Sequence, residues 1–153
     1  MFDFIRNIIS DIHPVNVHFP VALVTTSFAL AVISRFKSEF LFPSWITLVC
    51  GVLFMIPAVI TGGISHIPYE KTPLHDVIEI HESLAFVTTL YFTGLLIVRW
   101  RSIRKNRDMG NSWIFLGIMA LGMALLILTG GNGGNLVYQH GINVRGINPL
   151  IQK

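Results

Sequence analysis

The chain has 153 residues, of which 52% are hydrophobic and only 12% are charged, and its mean hydropathy is +0.65. Soluble domains carry about twice that share of charged residues, so the composition excludes an ordinary soluble protein and predicts a membrane protein. The formal net charge of +3 does not indicate a nucleic-acid partner, because the basic residues are distributed as membrane topology requires. The only cysteine, Cys50, excludes a disulfide framework and a covalent CxxCH haem attachment.

Four apolar segments follow one another along the chain, and each approaches the roughly 20 residues that a spanning helix needs. They cover residues 17–34, 44–62, 78–98 and 112–130. An amphipathic lead, MFDFIRNIISDI, precedes the first segment, and Ser44 and Ser112 lie where the N-caps of the second and fourth helices are expected. No internal repeat stands out. We therefore predict an all-α fold in which residues 1–153 form a single transmembrane domain, a four-helix bundle.

The fourth segment runs into the glycine-rich stretch TGGNGGNLVYQHG, which leaves two interpretations open. The helix either breaks at the glycines and lets His140 fold back over the helix ends, or continues through NLVYQH and stops at Gly141, a residue suited to the C′ position. In either case we expect His140 to lie close to His13 at the start of the first helix.

Basic residues are divided unequally between the two ends of the predicted bundle. The first and third loops carry seven of them, namely Arg35, Lys37, Arg99, Arg101, Arg104, Lys105 and Arg107. The opposite end carries four, namely Arg6, Lys71, Arg145 and Lys153. Because short loops rich in Lys and Arg stay in the cytoplasm, this asymmetry predicts that both termini lie on the external side.

All six histidines fall at the external end on this topology. His13 and His18 enter the first helix, His66 and His75 lie in the second loop, His81 enters the third helix, and His140 follows the fourth. His18 lies five residues inward of His13, and His81 six inward of His75, so we expect His18 and His81 to be held inside the bundle. Neutral imidazoles on different helices can bind a haem iron from opposite sides. We therefore predict His18 and His81 as ligands of the iron of haem b, with His13 and His140 as further cofactor-binding residues.

Acidic residues also lie at the external end of the predicted bundle, together with the histidines. They are Asp11, Glu70, Asp76, Glu79 and Glu82. Carboxylates can orient ligating imidazoles by accepting the other ring proton, or they can belong to a Zn²⁺ or Cu²⁺ site. The segments HDVIEIHE and HESLAF lack the H-E-x-x-H spacing of a zinc protease, so metal-dependent hydrolysis has little support. The ordinary alternatives are solvated positions for His13, His66 and His75, and structural hydrogen bonds for His18 and His81.

Two motifs resemble those of a known family. HPVNVHFPVAL fits the pattern HP-x-x-x-HFP, and GGNLVYQHGINV fits a GG-x-LVY-x-HG-like ending. With a histidine opening the third helix, they resemble the small bacterial four-helix membrane proteins grouped as domain of unknown function 2231, over His13 to Val144. The resemblance implies a multi-pass protein of the bacterial inner (plasma) membrane. Related domains occur beside Rieske-type or cytochrome c modules, which implies electron transfer.

Three functions are compatible with these features. The leading one is a b-type cytochrome-like protein that transfers electrons between a membrane donor and an external, periplasmic acceptor. The second is a copper- or zinc-binding membrane protein, although no external methionine cluster supplies soft ligands for reduced copper. The third is a haem-free structural subunit of a larger respiratory or photosynthetic complex. Because no catalytic acid, base or nucleophile is recognisable, an electron carrier or complex subunit is favoured over a stand-alone enzyme.

Overall fold

The computed structural model describes residues 2–144, without the side chains of residues 2–7 and 9–11. Over this range the chain forms four α-helices: α1 (Phe2–Ile33), α2 (Leu41–His66), α3 (His75–Arg104) and α4 (Trp113–Tyr138). Two 3-10 helices, Ser38–Phe40 and Ile67–Tyr69, flank α2. The described residues contain no β-strand, which confirms the predicted all-α fold. Each of the four helices is long and apolar enough to cross a membrane.

The helices cover the predicted spans and extend beyond most of their ends. α1 begins at Phe2, so the amphipathic lead is continuous with the first span, and Pro14 and Pro20 lie inside this helix. Ser112 caps α4 as predicted, because its side chain accepts a hydrogen bond of 3.2 Å from the backbone N–H of Phe115.

The helices form an up-and-down bundle. α1 packs most extensively on α2, and the pairs α2–α3, α3–α4 and α4–α1 complete a ring of neighbours, which places α1 and α3 on a diagonal. Gly51 permits a close approach of α1 and α2, because a Cβ at this position would lie 2.6 Å from Cγ2 of Val24. The apolar core between the helices includes Leu48, Phe92 and Met119, none of which has exposed surface.

The bundle has two chemically different ends. The histidine end consists of the starts of α1 and α3 and the ends of α2 and α4, and it contains His13, His66, His75 and His81. The arginine end is the opposite one, and it contains Arg99 near the end of α3.

Arg99 is fully buried and joins three parts of the chain at the arginine end. Its Nε and Nη2 atoms donate to the two carboxylate oxygens of Asp108 at 3.0 and 3.1 Å. Nη2 also donates to the Leu41 carbonyl and the Ser44 hydroxyl, each at 2.9 Å. The prediction of Ser44 as an N-cap is therefore wrong: α2 begins at Leu41, and Ser44 lies inside the helix as a partner of Arg99. Arg99 itself belongs to α3 rather than to the third loop.

The other basic residues of the first and third loops are exposed at the arginine end. They are Arg35, Lys37, Arg101, Arg104, Lys105 and Arg107. At the histidine end Lys71 is exposed, whereas Arg6, Arg145 and Lys153 lie outside the described side chains. The placement of both termini on the external side stays a prediction.

α4 passes through the glycine-rich stretch without a break and ends at Tyr138, as the second of the two sequence interpretations has it. Gly141, with a φ of 61°, terminates the helix in an αL motif. Its N–H donates to the Val137 carbonyl at 3.0 Å, and that of Ile142 donates to the Leu136 carbonyl at 3.1 Å. Ile142 and Leu136 then belong to one buried apolar cluster, which fixes the end of α4 to the bundle.

Candidate functional site

His13 lies half-buried on α1 and is oriented by α2. Its Nδ1 atom is 3.1 Å from the hydroxyl oxygen of Thr61. That hydroxyl has a single proton, which it donates to the carbonyl of Pro57 at 2.8 Å or of Ala58 at 3.1 Å. The Thr61 oxygen therefore accepts from Nδ1–H of His13. This tautomer leaves a lone pair on Nε2, the form in which a neutral imidazole binds a metal.

His81 occupies a comparable position on α3, beside α4. The ring is half-buried, and its Nδ1 atom is buried with no hydrogen-bond partner among the described residues. A neutral imidazole carries one N–H and one lone pair, so the ring can both donate a hydrogen bond and bind a ligand. Both His13 and His81 thus have a nitrogen available to a ligand.

Glycines allow both rings to lie against the neighbouring helix. A Cβ at Gly62 would lie 3.1 Å from Cε1 of His13, and a Cβ at Gly133 would lie 2.8 Å from Cε1 of His81. Any larger residue at Gly133 would have to displace the imidazole. Gly62 and Gly133 therefore help to hold the two histidines at the inner surface of the bundle.

His13 and His81 are also equivalent residues of an internal repeat. Residues 44–63 and 112–131, which are 68 positions apart, align without gaps as SWITLVCGVLFMIPAVITGG and SWIFLGIMALGMALLILTGG, and nine of the 20 positions are identical. The same offset aligns Asp-Ile-His at 11–13 with Glu-Ile-His at 79–81. The expectation of no internal repeat is therefore wrong. Residues 44–63 of α2 and 112–131 at the start of α4 share a repeated sequence, whereas α1 and α3 share little beyond this tripeptide.

The two histidines occupy matching positions in the bundle. α1 and α3 start at the same end and lie on a diagonal, so equivalent residues on them lie on opposite sides of the bundle axis. A ligand on the axis of the bundle would be contacted from both sides in the same manner.

The structure does not place His18 inside the bundle. Its side chain is exposed, and its Nδ1 atom bonds the carbonyl of Pro14 one turn earlier in the same helix. The expectation from depth is wrong because five residues rotate a helix by about 140° beyond a full turn. His13 and His18 therefore lie on different faces of α1. The assignment of His18 as a ligand of haem iron stays a prediction.

A second pair of histidines lies beside the first. His66, expected in a solvated loop, is the last residue of α2 and is only 9% exposed, and its Nδ1 lies 3.0 Å from Oε1 of Glu82. His75 is the first residue of α3, and its Nε2 lies 3.8 Å from Oε2 of Glu79. The two rings are stacked with their centroids 5.3 Å apart.

Buried polar atoms without hydrogen-bond partners are concentrated at the histidine end. Among the described residues they are His66 Nε2, His75 Nδ1, His81 Nδ1, Glu82 Oε1 and Asn132 Oδ1, whereas the arginine end contributes Nη1 of Arg99. The 3.0 Å contact between Glu82 and His66 is an ion-pair contact without the geometry of a hydrogen bond. Because native proteins leave few buried polar atoms unpaired, we expect bound water or a ligand at this end.

A family model described as a predicted membrane protein (DUF2231) matches residues 10–146. The chain belongs to the DUF2231 family. The predicted resemblance is thereby confirmed, and with the four apolar helices it establishes a multi-pass membrane protein in contact with the lipid bilayer. No curated protein and no solved structure matches the chain. Membership of DUF2231 gives no activity, so a function has to be argued from the site.

His140 is the remaining residue that the sequence predicts to bind a cofactor. It lies half-buried in the turn between α4 and Gly141. Its proximity to His13 stays a prediction. Thr61 and Gly62 were not recognised from the sequence as part of the site. The signal that identifies them is the repeated Ile/Leu-Thr-Gly-Gly sequence, since Thr61 follows His13 by 48 residues and Thr129 follows His81 by the same 48.

Two surface grooves of this DUF2231 protein lie away from the His13–His81 pair. One, of about 340 Å³, is lined by Glu79, Ile80, Ser83, Leu84 and Val87 along α3. The other, of about 350 Å³, lies at the arginine end and is lined by Ser38, Leu41, Phe42, Trp45, Ile103 and Asp108. A cofactor bound by His13 and His81 would therefore occupy space between the helices rather than either groove.

Proposed function

We propose that this DUF2231 protein is a b-type cytochrome-like electron carrier or complex subunit that holds haem b between His13 and His81. The observation that carries the proposal is that these two half-buried imidazoles lie at the same end of two diagonal helices, in the similar sequences Asp-Ile-His and Glu-Ile-His. Two histidines on different helices at the same end of a bundle would be suited to hold the iron of a haem. Four-helix bundles commonly hold cofactors between facing helices.

The donor set fits a haem iron. His13 is oriented through Nδ1 by the Thr61 hydroxyl, and this type of contact to the second nitrogen fixes the tautomer and increases the basicity of a ligating imidazole. His81 has a buried Nδ1 without a partner in the described part of the chain. When bound, haem supplies one-electron redox chemistry. The protein's own residues orient the two rings and exclude water from the space around them.

His13 replaces His18 in this proposal because the His18 side chain is exposed on the outer surface of α1. His140 keeps its proposed place at the edge of the cofactor. Neither groove is lined by His13 or His81, and we propose that haem enters by a local separation of the helices. α1 packs less extensively on α4 than on α2, so we expect the α1–α2 hairpin to move away from α4.

The proposed electron path follows from the location of the pair. His13 and His81 lie near the end that the distribution of basic residues assigns to the external side, so electrons would pass between a membrane donor and a periplasmic acceptor. The bacterial inner membrane is the proposed location, as the resemblance to small bacterial four-helix membrane proteins implies. A larger respiratory or photosynthetic complex is one setting in which such a subunit would work.

The experiment is haem reconstitution of the purified full chain in detergent, followed by reduced-minus-oxidised absorption spectra. We expect one haem per chain with a low-spin spectrum, and we expect His13→Ala and His81→Ala to lose the haem or become high-spin to a similar extent. His18→Ala is the comparison variant, because its side chain is exposed. A colourless wild-type protein would overturn the proposal in favour of a haem-free subunit. Loss of the low-spin spectrum in His18→Ala but not in His13→Ala would restore the ligand predicted from depth.

A further inference from the structure

We propose that His66 and His75 form a second site, which binds one divalent transition-metal ion of the Zn²⁺ or Cu²⁺ type. This site is distinct from the His13–His81 pair and does not depend on haem. It lies at the junction between the two hairpins, where α2 ends and α3 begins. The repeat supplies no second copy of it, because the positions equivalent to His66 and His75 are Gly134 and Asn7.

Each of the two imidazoles has one nitrogen beside a carboxylate and the other nitrogen unpartnered. Nδ1 of His66 lies 3.0 Å from Glu82, and its Nε2 is buried with no hydrogen-bond partner among the described residues. Nε2 of His75 lies 3.8 Å from Glu79, and its Nδ1 is buried and likewise unpartnered. A carboxylate beside one nitrogen of a histidine whose other nitrogen binds the ion is the recurrent arrangement around protein-bound metals.

The spacing of the rings fits a shared ion. The centroids of His66 and His75 are 5.3 Å apart. Two imidazoles that share one tetrahedral zinc ion through bonds of about 2.1 Å have centroids about 5 Å apart. Because two buried unpartnered nitrogens on adjacent rings are rare in native proteins, a common partner is a simpler explanation than two independent exceptions.

Neighbouring groups can complete the coordination. Ligand atoms of His75, Asp76 and Glu79 all lie within 4.8 Å of one another, so a carboxylate of Asp76 or Glu79 is within reach of an ion bound by His75. Imidazole with carboxylate suits Zn²⁺ and Cu²⁺ rather than Mg²⁺, which prefers oxygen ligands alone.

The two ligands are held on structured elements. His66 closes α2 and is buried, and the connection to His75 contains Tyr69, which has no exposed surface. The Tyr69 hydroxyl accepts a hydrogen bond of 3.1 Å from the backbone N–H of Asn143, which ties this connection to the segment after α4. The site is therefore largely preorganised by the fold.

The test is titration of the full chain, without an affinity tag and without haem, with Zn²⁺, Cu²⁺ and Mg²⁺ by isothermal calorimetry in detergent. We expect saturable binding of one Zn²⁺ or Cu²⁺ and none of Mg²⁺. His66→Gln and His75→Gln should each weaken the affinity by at least tenfold, and Glu79→Gln should weaken it by about 10- to 100-fold. His18→Gln, which alters an exposed histidine elsewhere, and His13→Ala should bind as the wild type does.

Circular dichroism checks that each variant folds. If His66→Gln does not fold, His75→Gln alone tests the proposal, because His75 is the more exposed of the two residues. Absence of saturable binding by the wild type would overturn the proposal. So would unchanged affinity in His75→Gln. Loss of binding in His13→Ala would overturn it as well, because it would assign the ion to the His13–His81 pair.

Discussion

The substitution Gly133→Ala tests the packing that holds His81 in place. The added methyl group would lie 2.8 Å from Cε1 of His81, whereas ordinary contacts begin at 3.4 Å, so the ring or the α4 backbone must move by about 0.6 Å, the difference of these distances. Overpacking of this type costs about 1–3 kcal/mol. Replacing a helical glycine by alanine returns up to about 1 kcal/mol. We therefore expect a net change between no loss and a loss of about 3 kcal/mol.

Gly130→Ala is the matched control, because a Cβ at this position in the same helix has nothing within 4 Å. It should gain up to about 1 kcal/mol from helix propensity alone. Unfolding of the two variants in the same detergent, followed by tryptophan fluorescence, should thus separate them by about 1–3 kcal/mol. Gly133→Ala should also perturb the haem spectrum, whereas Gly130→Ala should not. Equal stability and equal spectra for the two variants would refute the proposed contact between Gly133 and His81.

Three further predictions concern the remaining contacts and the topology. Asp108→Ala should destabilise the protein by about 3–5 kcal/mol, because it leaves the fully buried Arg99 without its partner; an unfolding free energy within 0.5 kcal/mol of wild type would argue against this role. Thr61→Val, which removes the acceptor for His13, should cost about 1–3 kcal/mol and shift the haem midpoint potential, whereas Thr61→Ser should restore both; an unchanged potential in Thr61→Val would count against the contact. A reporter fused at position 106 should be active only in the cytoplasm, and one at the C-terminus only outside; the reverse pattern would invert the topology.

The helices were predictable because the bilayer imposes a length and a composition on each span. Hydropathy alone therefore located all four segments, and the cap at Ser112 and the stop at Gly141 followed from local backbone chemistry. Ser44 shows the limit of such local rules. It shares the sequence Ser-Trp-Ile with Ser112, but its hydroxyl accepts from Arg99, which is 55 residues away along the chain. A long-range contact of this kind leaves no signal near Ser44.

The site was predicted only in part. The sequence predicts that the histidines are concentrated at one end and that His81 belongs to the site. Both predictions depend only on the order of the apolar segments along the chain. The choice of His18 over His13 rested on depth along the helix, and it ignored the rotation that turns His18 outward. The internal repeat, which pairs His13 with His81, is weak because apolar helices share a limited set of residue types. It becomes evident once both hairpins are seen to start at the same end.

The central claim is that His13 and His81 bind the same iron, and imidazole rescue tests it most directly. His13→Gly and His81→Gly each leave space for free imidazole next to the haem, so the electron paramagnetic resonance spectrum of each oxidised variant should change from low-spin to high-spin. Added imidazole should restore the low-spin signal in both variants, while His18→Gly stays low-spin throughout. A low-spin signal that persists in His13→Gly or His81→Gly without added imidazole would contradict the account.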